Sequence, residues 1–201
     1  MDHYISTSVL FDLEYWKYIT VRHNLDVIHI EKNMCEILIA LMLNTKGKTK
    51  DDVNARKDLK ELRIKEQLWL KEEKWKEIQK PSRFWFRKAE KKMFLQTLRD
   101  LRVPTGFSSN WRNVFKEDST DLKGMKSHDY HTLMQHLIPI LIQHAFRDRN
   151  EICHILSSIC LFFHVLCSRN VDIDKLNILE RGMARSLCEL ERVCPPSAWP
   201  D

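Results

Sequence analysis

The sequence predicts an all-α protein, a mainly helical and irregular bundle, and three observations carry that expectation. The 201 residues include only 4 Gly and 6 Pro, too few turn formers for a chain built of short strands. Apolar residues recur at the i, i+3, i+4, i+7 spacing of a core-facing helix along most of the length. A hydrophobic share of 43% against 30% charged residues is that of a folded domain, not of a disordered chain. One stretch stays open: residues 25–30 mix apolar and polar side chains and allow a short strand remnant or the start of the next helix.

Taken in order, Val9, Leu10, Leu13, Tyr15, Trp16 and Ile19 predict a short amphipathic helix over 8–21. Met34, Ile37, Leu38, Leu41 and Met42 predict a core-facing helix over 31–43, with Gly47 suited to a left-handed cap after it. Thr49 is the expected N-cap of the next helix, with Asp51 and Asp52 in its first turn and Val53, Ala55, Leu59 and Leu62 as its stripe. Residues 68–80 interleave Trp69, Leu70, Trp75 and Ile78 with charges and read as a linker or a loosely held helix closed by Pro81. Met93, Phe94, Leu98 and Leu101 predict a helix over 87–101, and irregular chain follows to Gly124. Three long helices close the chain: 127–146 with Ser127 as N-cap, 150–168, apolar nearly all round, and 172 or 174 to 193, stopped by Pro195-Pro196. These three are expected to be the best-packed unit, with Phe162 in its core.

The net charge of +5 is unevenly spread. Between Lys46 and Lys92 there are 17 Lys/Arg against 9 Asp/Glu, a local excess of +8. Within it, Arg83, Trp85, Arg87, Lys88, Lys91 and Lys92 combine cations with an aromatic ring, the composition for phosphate contact and base stacking. Glu72, Glu73 and Glu77 dilute that field, so a solvated linker is the competing reading. The six cysteines lie mostly inside apolar helical patterns, and Met1-Asp2-His3-Tyr4 does not open as a secretory leader; free thiols in a reducing compartment are expected. No apolar run reaches the ~18 residues of a membrane span; the best, 152–167, is broken by His154, Ser157, Ser158 and His164.

Three places hold residues capable of site chemistry. Asp26, His29 and Glu31 fall within six residues, but two carboxylates and a histidine do not make an active site, and Asp26 or Asn24 capping the following helix accounts for the same letters. His128 and His131 share a helical face, with His136 beyond; a zinc site usually needs four ligands, and a helix start at Ser127 with Asp129 in its first turn explains these residues too. Cys153, Cys160 and Cys167 recur every seven residues among apolar neighbours, the pattern of a buried stripe. No metal site is assigned, and no phosphate-binding glycine loop, nucleophile elbow or Cys-x-x-Cys motif is present.

The run from His23 to Asn33, HNLDVIHIEKN, resembles the HNLDVMHIEKN signature of proteins encoded by plant CACTA-type (En/Spm-like) transposons. The likeness continues collinearly. Residues 41–64 are similar to LLNIPGKTKDGLNARLDLVEMGI, 88–94 to KKEKKSF, 101–110 to VKVPEGYSSN, 122–140 to LVGLKSHDCHVLMQQLLPV, and 187–197 to LCQLEMYFPPS. Tyr130 replaces the cysteine of SHDCH, and 66–81 fits the family poorly. The resemblance implies a remnant of the transposase catalytic region over 1–45, a charged helix and linker over 46–82, and a helical transposon-associated domain over 83–201, truncated at its C-terminus. It implies a nuclear, DNA-associated fragment whose partners are DNA, bound non-specifically, and other transposon proteins, with no membrane and no small-molecule substrate. It marks Asp26 and His29 as the vestige of a catalytic Asp-x-x-His element. Without the remaining carboxylates the fragment is not expected to be an enzyme, and it needs no cofactor, Mg²⁺ being expected only in full-length relatives. Two other readings stand beside it: a helical protein-interaction module with no DNA role, and a metal-dependent nuclease acting through Asp26, His29 and Glu31.

Overall fold

The first described helix begins on an aspartate. In the computed structural model, which describes residues 26–45, 47–49, 51–73, 76–102 and 124–194 together with Glu14, Tyr18 and Trp111, Asp26 caps helix α1 (Val27–Leu43) by accepting the His29 backbone N–H at 3.1 Å. No strand remnant exists over 27–30: the cap starts the helix four residues before the apolar period does, and 27–30 form its first turn. Asn44, not Gly47, takes the left-handed cap position at its end (φ 49°), while Gly47 (φ 74°) sits in the turn beyond. The helix expected over 8–21, the irregular segment 103–123 and Pro195-Pro196 lie almost entirely outside the described residues.

Helix α2 (Val53–Glu61) starts from Asp52, whose carboxylate accepts the Ala55 N–H at 2.9 Å. Thr49, the expected cap, instead accepts from the Asp51 N–H. A 3₁₀ turn (Glu66–Leu68) leads into an antiparallel hairpin of β1 (Lys71–Glu73) and β2 (Lys76–Ile78), pairing Lys71 with Ile78 and Glu73 with Lys76. This hairpin replaces the linker or loose helix expected there. Ion pairs from Lys57 to Glu77 (2.8 Å) and Lys60 to Glu72 (3.5 Å) tie it to α2.

Helix α3 (Lys88–Asp100) follows. Helix α4 runs over 127–145 as an α-helical turn (Ser127–Thr132), a π-helical stretch (Leu133–Leu137) and a final α-helical part (Ile138–Ala145). Its N-cap is Lys126, one residue before the expected Ser127; Asp129 closes the start by accepting the Lys126 N–H at 2.9 Å. Pro139 explains the wide stretch. A proline inside a helix has no N–H for the carbonyl four residues back and clashes with it, and an i→i−5 turn relieves both. Helices α5 (Asn150–Leu166) and α6 (Ile173–Val193, capped by Asp172) are the last described elements.

The fold of the described residues is all-α apart from the hairpin. Among the described residues no helix is long and apolar enough to cross a membrane. Helix α5 is the centre of the packing: α6 and the later part of α4 lie against it, α1 packs on the start of α4, and α3 on its end. A single buried cluster runs from Cys35 and Leu38 of α1 through Phe84, Phe86, Phe94, Met134, Ile142 and Ile159 to Leu190 and Cys194, so the first and last of the three expected stretches share it. Phe86 stacks on Phe146 at 4.8 Å and meets Phe94 at 5.0 Å. Phe163 is the buried member of its pair, and Phe162, expected in the core, is only half-buried against it. All six cysteines are free thiols.

Candidate functional site

Asp26 and His29 are both exposed at the start of α1, and the Asp26 carboxylate is committed to the cap. Glu31 lies on a different face of the same helix and is fully buried. The helical advance of 100° per residue separates them, so the three do not converge on one ion.

The cations proposed for DNA contact are largely committed to holding the fold. Arg83 pairs with Glu151 at 2.9 Å. Arg87 reaches Asp148 at 2.7 Å, and this contact raises the arginine's pKa and holds the Asp148 carboxyl below its ordinary value. Lys91 donates to the Leu43 carbonyl at 2.7 Å, placing a cation at the C-terminal end of α1. Trp85 is half-buried with the Arg56 guanidinium 5.6 Å from its ring centre, so one face of the ring already has a partner inside the fold. Lys88 and Lys92 stand exposed on α3.

A different group of residues does converge. Glu31 from α1, His131 from the first part of α4 and Cys167 at the C-cap of α5 each present a donor atom, all within 4.8 Å of one another, the only such trio of His, Cys, Asp or Glu among the described residues. Glu31 Oε2 lies 2.7 Å from His131 Nδ1 and 3.7 Å from Cys167 Sγ. Glu31 Oε1 accepts from Gln135 Nε2 at 2.9 Å. Burial, reinforced by the Glu31 charge, pushes the Cys167 thiol up to about 11. His128 stands 6.4 Å from His131 between ring centres, and His136 turns to His164 at 5.6 Å. Burial and those neighbouring histidines lower the His136 pKa. The histidines considered together in the sequence therefore part, and one of them joins an acid 100 residues earlier. Its only advance signal was Glu31 itself, a charge at a position one turn from the apolar stripe through Met34, Cys35 and Leu38.

No family model matches the chain, and no curated protein or solved structure matches it either.

Proposed function

We propose that this chain is a non-catalytic, nuclear helical module of CACTA-type transposon character, associated with DNA through charge alone. The observation that carries the reading is the state of the Asp-x-x-His element that prompted the resemblance. Its aspartate starts a helix, its histidine is exposed, and the nearest further carboxylate, Glu31, is buried on another face. Phosphoryl transfer with two metal ions needs several carboxylates around ions about 3.5–4 Å apart. With Arg83 and Arg87 paired internally, phosphate contact falls to Lys88 and Lys92.

Two measurements test this. Purified protein should not cleave plasmid DNA with Mg²⁺ or Mn²⁺; cleavage that disappears in Asp26→Ala would install the nuclease reading. DNA affinity should fall with salt at a log–log slope of about −2, for two phosphate contacts. Binding that ignores salt, or survives Lys88→Gln with Lys92→Gln unchanged, would leave the protein-interaction reading in its place.

A further inference from the structure

Burying a charge is costly unless an opposite charge accompanies it. Glu31 is fully buried, and among the described residues no lysine or arginine pairs with it; its partners are an amide, a thiol and the His131 imidazole, which makes an ion pair only when that ring carries a second proton. The contacts are also crowded. His131 Nδ1 lies 2.7 Å from Glu31 Oε2 and 3.1 Å from Gln135 Nε2, while the amide's two protons have Glu31 Oε1 at 2.9 Å and the Phe163 carbonyl at 3.4 Å as acceptors. The amide contact to Nδ1 then adds no hydrogen bond of its own. A cation seated between Nδ1 and Oε2 supplies positive charge beside the carboxylate and takes the Nδ1 lone pair.

We propose that Glu31, His131 and Cys167 bind a single divalent cation of the zinc class, fastening α1, α4 and the C-terminal end of α5 to one another. One oxygen, one nitrogen and one sulfur donor suit Zn²⁺ or Co²⁺, whereas Mg²⁺ and Ca²⁺ take oxygen sets. Bonds of about 2.0–2.3 Å at tetrahedral angles place donors roughly 3.3–3.8 Å apart. The sulfur–oxygen separation of 3.7 Å already meets this, and the nitrogen–oxygen pair at 2.7 Å has only to open by less than the width of an atom. Cys167 gives its proton to solvent as the sulfur–metal bond forms, and three protein donors leave the fourth position to water. Gln135 is the positioning residue: it holds Oε1 of Glu31 so that Oε2 faces the other two donors. Nothing in this assignment depends on the transposon reading.

Cobalt supplies the readout. The full chain, purified without chelator and kept reduced, should bind one Co²⁺ and show a thiolate-to-cobalt charge-transfer band with tetrahedral ligand-field absorption. Cys167→Ser should abolish the band, while Cys188→Ser, at an exposed thiol outside the trio, should keep it. Gln135→Ala should weaken binding about 10–100-fold with the band retained. Zinc should raise the Tm of the natural chain and not that of Cys167→Ser. Should Cys167→Ser fail to fold by circular dichroism, His131→Gln and the affinity of Gln135→Ala decide the matter. Absence of the band with the natural chain at stoichiometric cobalt, its persistence in Cys167→Ser, or its equal loss in Cys188→Ser would overturn the site.

Discussion

Asp51 and Arg56 are both fully buried and bonded side by side, Nε to Oδ1 at 2.7 Å and Nη2 to Oδ2 at 2.9 Å. The remaining guanidinium nitrogen donates to the Leu68 carbonyl at 3.2 Å, and Gln79 donates to the Asp51 carbonyl at 2.8 Å, so α2, the 3₁₀ turn and the chain after the hairpin meet on one ion pair. Removing one partner leaves the other charge buried alone, and Asp51→Ala should cost about 3–5 kcal/mol in urea unfolding. Pairing it with Arg56→Met should cost less than the two single changes added together; strict additivity would mean that the two residues do not interact. Phe163→Ala should likewise cost about 3–5 kcal/mol, and half-buried Phe162→Ala clearly less, measured the same way. At this scale the sequence was legible where chemistry is local. Asp26 as a cap could be read because the bond spans three residues. Glu31 with His131 could not, because a charge beside an apolar stripe signals burial but does not say which residue, 100 positions away, will meet it.

Elements were legible in proportion to their length and apolar period. Helices α1, α3, α5 and α6 stand close to where the stripes put them, because burial of a stripe and helix formation demand the same spacing. The hairpin was invisible: Lys71-Glu72-Glu73 and Lys76-Glu77 have poor strand propensity, and what holds them includes ion pairs to α2 that no local window contains. The π-helical stretch was missed although its cause, Pro139, is plain in the sequence, since a proline there could equally have ended the helix. Pro139→Ala restores an N–H able to bond the Gln135 carbonyl, so the stretch should rewind toward α-helix and draw Gln135 away from Glu31. Helical content by circular dichroism should hold while the Gln135 side-chain amide resonance moves. An unmoved resonance would assign the π-helical stretch to another cause.

Across the whole molecule the thiols report on the core. Burial pushes Cys160 and Cys194 up to about 12 from an ordinary 9.0. A thiol raised in the folded state favours folding fully below its unfolded pKa, and that contribution is lost as pH rises from about 9 toward the folded value. Stability should therefore decline on the alkaline side from about pH 9, and Cys160→Ala should flatten the decline while lowering stability overall. The same burial makes Cys35, Cys160 and Cys194 poor nucleophiles, so alkylation at pH 8 should mark exposed Cys188 first and reach those three only on unfolding. Early modification of Cys160 would show that α5 opens readily.

Lys65 carries a consequence for the order of events in folding. It holds a left-handed backbone position, and its ammonium, with its pKa lowered by burial, bonds the Glu191 carbonyl and, at 2.9 Å, that of Cys194. These contacts join the segment after α2 to the last turn of α6 across 126 and 129 residues of sequence. Loops of that length close late, after local helices and their immediate neighbours have formed. The latch is then absent from the transition state, and contacts absent there set how fast the native state comes apart, not how fast it is reached. Lys65→Met, which keeps much of the apolar stem and removes the charge, should leave the refolding arm of a chevron in place and raise the unfolding arm. A slowed refolding arm would instead put the chain's two distant parts together at the start.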